Sequence, residues 1–296
     1  MNPCSEHPVV FPVGEDELVG VLAAPVGPAK ATAVLVVVGG PQVRAGSHRQ
    51  FVQLSRHLAR SGHAAFRFDV RGMGDSGGNP AGFEHQHDDI AAAIDTLLRE
   101  RPEVERVVLW GLCDGASASL LYLRQTGDAR VGGLVLLNPW VRTPQSQART
   151  TVRRYYAERL MAAGFWRKLL SGGIGRQALH GLWKNLRIAG RRERQTPDLP
   201  FTARMAEAWR GFQRPILLVL SSKDFTAKEF ADHAASDPHW RGTLQAPGLQ
   251  RVDLPDADHT FSTPGAGLQV AQLTEAWLAG LALAASASHV QGIGST

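Results

Sequence analysis

The chain has 296 residues, 44% hydrophobic and 20% charged, which excludes a disordered polymer and allows one large domain or one domain carrying an inserted subdomain. Two cysteines, Cys4 and Cys113, are too few for a disulfide framework and suit a reducing compartment. The net charge of +5 is uneven: residues 141–210 hold 15 Lys and Arg against 4 Asp and Glu, and the remainder holds 17 against 23.

"HPVVFPV" and "ELVGVLAAP" flank "GED" and predict an N-terminal hairpin. Four β-rich runs follow, "ATAVLVVVGG", "HAAFRFDV", "RVVLWGL" and "GGLVLLNPW", separated by segments of helical spacing. In "QFVQLSRHLARSG" the residues Phe51, Leu54 and Leu58 share a face and Gly62 ends the helix. In "DDIAAAIDTLLRE" Ile90, Ile94, Leu97 and Leu98 do the same, with acids in the first turn, where the helix dipole favours them. The alternation stops for about seventy residues after Trp140 and resumes at "RPILLVLSSKD" and "LQRVDLPDADH". A final amphipathic helix is expected over roughly residues 268–283, then a frayed tail.

Strands alternating with helices predict an α/β fold: a mostly parallel central sheet flanked by helices, with a helical cap inserted after the sixth strand. The expected division is a core of residues 1–140 and 211–285, a cap of 141–210 and a flexible tail of 286–296. The start "MNPCSEHPVV" has neither a basic region nor an apolar one, and the run "AVLVVVGG" is far shorter than the ~20 residues that cross a bilayer. A cytoplasmic protein is expected, with peripheral membrane contact allowed.

The pentapeptide "GLCDG" at 111–115 sits between a strand and a helix. A strand turning sharply into a helix forces its central residue into a strained backbone and crowds its neighbours, so glycine is needed two positions either side. The central Cys113 is then presented at a helix N-terminus, whose dipole and free N–H groups stabilise a thiolate. The N–H of Asp114 would point at the oxyanion of an intermediate. The bland alternative is a cysteine filling a glycine-rich turn. Two later residues weigh against it. Asp224 ends the strand "PILLVLSSKD" and His259 follows the last strand in "DADHTF", which puts nucleophile, acid and histidine in that order at the ends of successive strands. Asp256 and Asp258 are expected to shape the histidine loop, because a carboxylate on the same loop is poorly placed to reach the ring.

With "VVGGP" at 37–41 and "RGMGDS" at 71–76, these motifs resemble those of the α/β-hydrolases over nearly everything except the cap and tail. The resemblance implies that a glycine of the first motif gives the second oxyanion N–H. Gly40 fits, since Pro41 has no N–H. It also marks Cys113 as a departure, because most members carry serine there. More narrowly, "GGPQVRAGSHRQF", "FRFDVRGMGDSGG" and "GLCDGASASLLY" are similar to the hydrolase 1 family associated with the exosortase A system, whose members accompany bacterial exopolysaccharide and protein-sorting loci.

The resulting expectation is a hydrolase of acyl thioesters or esters, with Cys113 as nucleophile, His259 as base, Asp224 as its orienting acid, and the N–H groups of Gly40 and Asp114 as the oxyanion hole. One rival hands the acyl group to a sugar or lipid acceptor; another is a non-catalytic binding or membrane-associated module on the same scaffold. No cofactor and no metal are called for; "HQHDD" at 85–89 reads as a helix start before a metal site. Arg153, Arg154, Arg159, Arg167, Lys168, Arg191, Arg192 and Arg194 could ring the entrance, where coenzyme A or an acyl carrier protein would present the substrate. Tyr155, Tyr156, Phe165, Trp166, Leu169 and Leu170 have the spacing of a buried helix face. No nucleic acid is expected.

Overall fold

The structure is a computed structural model describing residues 3–40, 42–142 and 199–293, with side chains as far as residue 282. By compactness the chain divides into residues 1–141 with 200–296, and residues 142–199. The expected helical content of the cap, its basic ring and its aromatic face therefore lie outside the described residues.

The first unit is built on an eight-stranded sheet in the order β1-β2-β4-β3-β5-β6-β7-β8. Strands β1 (Cys4–Val13) and β2 (Asp16–Pro25) form the predicted hairpin, whose two-residue turn has Gly14 at φ +60°. β2 pairs antiparallel with β4 (Ala65–Phe68). The remaining pairings, through β3 (Thr32–Val37), β5 (Arg106–Leu112), β6 (Val131–Leu137), β7 (Ile216–Ser221) and β8 (Leu249–Leu254), are parallel.

Parallel strands need crossovers, and the helices that supply them cover both faces. The pleat of β3 divides the core: Val34 and Val36 point to one side, Leu35 and Val37 to the other. The first side packs against α1 (Gln50–Arg60) through Phe51, Leu54 and Leu58, and against α6 (Ala266–Ile293) through Trp277 and Leu278. The second packs against Ile90, Ile94 and Leu97 of α2 (His87–Glu100) and Leu120 of α3 (Asp114–Thr126). Gly62, at φ +92°, follows α1 as expected.

Two boundaries differ from expectation. Helix α4 (Phe201–Gly211) belongs to the core unit, so the insertion ends near residue 199 and not at 210. Its face is claimed by aromatic packing at long range. Trp209 lies 5.6 Å from Trp240 and 6.3 Å from Phe230 of α5 (Phe225–Ser236), and the Trp240 indole donates to the Thr202 carbonyl at 3.0 Å. Helix α6 runs on to Ile293, past the expected end near 283, through an alanine-rich segment with strong helix propensity.

Candidate active site

The carboxyl ends of β3, β5, β6, β7 and β8 lie side by side, and each contributes to one site. Cys113 follows β5 directly, with φ 60° and ψ −123°, a conformation that costs a non-glycine residue energy and persists only where its surroundings enforce it. Here they do. A Cβ at Gly111 would stand 2.5 Å from the Ala116 nitrogen, and one at Gly115 would overlap the Val37 carbonyl. The Cys113 N–H donates to the Leu137 carbonyl at 2.9 Å, and the Cys113 carbonyl accepts from the N–H groups of Ala116 (3.1 Å) and Trp140 (3.2 Å). The thiol-bearing residue is half-buried and packs against the apolar cluster that includes Trp110 and Phe261.

The structure brings Asp224 and His259 together: the Nδ1 of His259 is 2.8 Å from Asp224 Oδ2. Asp224 is 6% exposed and caps α5, accepting from the N–H groups of Thr226 (3.0 Å) and Ala227 (3.2 Å). The cap fixes the carboxylate, and the carboxylate fixes the ring. The hydrogen bond that His259 donates to Asp224 is the chief reason the His259 pKa is raised, against the opposing effect of burial. Asp256 and Asp258 are engaged elsewhere, Asp256 with Lys223 at 2.8 Å and Asp258 with the N–H and hydroxyl of Ser262.

A residue that sequence reasoning passed over holds this arrangement from below. Asn138, fully buried after β6 at φ 45°, accepts from the Ser221 N–H at 2.8 Å and donates to Ser221 Oγ at 2.9 Å and to the His259 carbonyl at 3.3 Å. One amide thus ties the ends of β6 and β7 to the histidine loop. The tolerance of asparagine for positive φ in the run "LLNPW" was the available signal.

The oxyanion side is arranged differently from expectation. Asp114 opens α3, and its carboxyl group folds over the glycines that follow β3. A Cβ on Gly40 would come within 3.2 Å of its Oδ2. A Cβ on Gly39 would overlap both the carboxylate and the Gly115 nitrogen, so that glycine is required by close approach. The two N–H groups expected to hold an oxyanion, those of Gly40 and Asp114, are near this carboxyl group. Burial raises the pKa of Asp114, while these N–H donors and the charge of His259 act in the opposite direction. The loop itself is anchored by fully buried Asp69, which accepts from the N–H groups of Arg44 (2.6 Å) and Asp75 (3.1 Å) and pairs with the Arg44 guanidinium.

Among the described residues no helix is long and apolar enough to cross a membrane. The "HQHDD" segment opens α2, and its Asp89 is buried against Arg71, whose N–H and Nε donate to it at 2.9 and 2.6 Å.

Comparison with solved structures finds the same fold in several esterases. Est1E from Butyrivibrio proteoclasticus, solved with ferulic acid, superposes with a TM-score of 0.62 at 15% identity over 93% of this chain and 99% of that one. The esterase Pf2001 of Pyrococcus furiosus gives 0.61 at 14%, covering 93% and 90%, and a Thermogutta terrifontis esterase with bound malate gives 0.56 at 21%, covering 93% and 99%. At these identities the likeness is one of fold. No curated protein sequence matches the chain. A family model described as serine aminopeptidase, S33, matches residues 29–179, which include the Gly39–Gly40 loop and the Cys113 elbow. The chain therefore belongs to this α/β-hydrolase family and carries cysteine at the elbow of a family described by its serine.

Proposed function

We propose that the protein is an acyl hydrolase that works through a covalent acyl-cysteine, with Cys113 as nucleophile and His259 and Asp224 completing the triad. The observation that supports this most is that His259 is held 2.8 Å from the buried carboxylate of Asp224, while a strained, half-buried cysteine follows β5 at the same edge of the sheet.

The chemistry runs as follows. Asp224 occupies Nδ1 of His259, leaving Nε2 to take the Cys113 proton, and the adjacent carboxylate stabilises the imidazolium so formed. The thiolate attacks the acyl carbonyl. Its oxygen takes up charge at the Gly40 and Asp114 N–H groups, each donor being worth about 3 kcal/mol. Collapse expels the leaving group, which takes the proton from His259. Water then attacks the acyl-cysteine, losing its proton to His259, and the carboxylic acid leaves as Cys113 recovers its proton.

Sulfur at this position bears on the substrate. The acyl-enzyme is itself a thioester, so a thioester donor exchanges at nearly equal energy, whereas an amide is a harder donor. Thioesters and activated esters are the favoured class. The excess of basic residues between 141 and 210 favours donors carried on phosphate-bearing coenzyme A or an acidic acyl carrier protein. The similarity of three motifs to the exosortase-associated hydrolases adds a setting in bacterial envelope biosynthesis without naming a substrate.

Mixing the protein with a butyryl thioester and quenching within the first turnover tests this reading. Intact mass should rise by one butyryl group, mapped to the Cys113 peptide and absent in Cys113→Ala. Turnover without such an adduct, or an adduct on another residue, would contradict it.

A further inference from the structure

The sheet ends in β1 on one side and β8 on the other, and the two edges are protected differently. β1 carries Pro8 and Pro12, which lack an N–H and so blunt an edge against further pairing. β8, "LQRVDL", holds no proline, and its register with β7 is unbroken from Leu249 to Leu254.

Two hydrogen bonds fix which way the β8 backbone points. The Gly248 carbonyl accepts from the Ile216 N–H at 3.0 Å, and the Leu254 carbonyl from the Ser222 N–H at 2.9 Å. Backbone groups of successive residues point to opposite sides of a strand, so Gln250 and Val252 face β7 as well. The N–H and C=O groups of Arg251 and Asp253 therefore face outward, and no strand among the described residues pairs with them. An open row of this kind is a template for another strand.

The side chains decide which strand fits. Arg251 and Asp253 are exposed on one face of β8, where the guanidinium donates to the carboxylate at 2.9 and 2.8 Å. Val252, on the opposite face, packs against the cluster that includes Trp277. A second β8 laid antiparallel about a two-fold axis at Val252 sets Arg251 opposite Asp253 of the other copy, and Asp253 opposite its Arg251. Residues so placed exchange both backbone hydrogen bonds. The charges then alternate around the axis, each meeting an opposite charge along its own strand and another across, which favours the pairing. An axis at Arg251 or at Asp253 puts like charges face to face, which opposes it. An axis at Gln250 sets Arg251 against Leu249, whose N–H is already given to the Ala246 carbonyl at 3.3 Å. The strand is thus complementary to itself in one register, as an isologous contact requires.

We propose that the outer edge of β8 is a docking surface for β8 of a second copy of this chain, joining the two sheets across a two-fold axis at Val252. The contact is independent of the acyl-cysteine reading and stands or falls without it.

Sedimentation velocity of the full chain from about 1 to 200 μM tests the contact, and the weight-average mass should climb from that of one chain toward twice that value. Arg251→Pro removes an outward N–H without touching the ladder to β7 and should hold the protein at single-chain mass throughout. Arg251→Asp and Asp253→Arg each oppose like charges across the axis and should do the same when measured alone. Mixed in equal amounts, these two variants should associate with each other, because opposite charges again meet across the edge while neither chain regains its own ion pair. The mixture thus separates a contact between copies from loss of the pair within one chain. Amide exchange at Arg251 and Asp253 should also slow as the parent concentration rises. Single-chain mass for the parent at every concentration would overturn the proposal. So would a dimer that persists in Arg251→Pro and in both charge variants, a mixture that stays monomeric, or exchange at the two amides that ignores concentration.

Discussion

The two halves of the site flanking Cys113 are in different states. On one side Asp224 and His259 are already in contact, fixed by a helix cap and by Asn138, as a base must be before substrate arrives. On the other, the carboxyl group of Asp114 lies close against Gly39 and Gly40, the loop expected to help hold an oxyanion. The basic half is pre-assembled, and the electrophilic half is crowded by a side chain. Since a donor counts in catalysis only where charge develops, a substrate oxygen has to share the second half with that side chain, and the first needs no such adjustment.

The largest effect that would break this picture comes from the nucleophile. Cys113→Ala should reduce kcat/KM by about 10⁴-fold or more toward thioesters, as for loss of any member of a unit acting together. A smaller loss in an initial-rate assay would move the chemistry elsewhere.

Asp224→Asn should lower kcat/KM by roughly 10²–10⁴-fold, because the amide can still cap α5 but no longer stabilises the imidazolium. The pKa of His259, followed by NMR in Cys113→Ser protein, should fall from its raised value toward that of free histidine. A raised histidine pKa stabilises the fold fully below the unfolded value near 6.5, and this contribution is lost as pH rises through the folded value. The melting-temperature gap between the parent and Asp224→Asn should therefore be wider at pH 6 than at pH 9. An unchanged gap would detach the aspartate from the ring.

Asp114→Asn sharpens the contrast from the other side. It replaces the carboxyl group beside the Gly39–Gly40 loop by a neutral amide of the same shape and should raise kcat/KM at neutral pH, by up to about tenfold. A tenfold fall would mean that the carboxylate serves catalysis directly. Because burial raises the Asp114 pKa, its ionised form costs stability that the protonated form does not; the loss begins above the unfolded value near 3.9 and is complete once pH has passed the folded value. Asn should gain more over Asp at pH 8 than at pH 4 in thermal unfolding. Smallest is Asn138→Ala, which strands the Ser221 N–H and should cost about 1–3 kcal/mol in denaturant unfolding, with a modest decline in kcat.

What the sequence made legible was whatever depends on near neighbours. Glycine two positions either side of Cys113, the alternation around each strand, and an acid and a histidine directly after β7 and β8 are local patterns with local causes. The side chain of Asp114 was not legible, because its direction is set by a glycine loop seventy-four positions earlier in the chain, and helix-dipole reasoning sees only its own first turn. Asn138 escapes a sequence reading for the same reason: a buried amide is defined by its partners on other strands and loops. Helix α4 reads as part of the basic insertion in composition, and only Trp240 and Phe230, arriving later in the chain, assign it to the core.

The most direct test of the central claim is the rate of iodoacetamide labelling at Cys113 between pH 5 and 9, in the parent protein and in His259→Ala. An activated thiolate predicts rapid labelling that persists to the acid end of the range in the parent and moves toward the pH profile of a free thiol, near 8.5, in the variant. An ordinary thiol profile in both proteins, with Cys4 labelled as readily as Cys113, would contradict the triad.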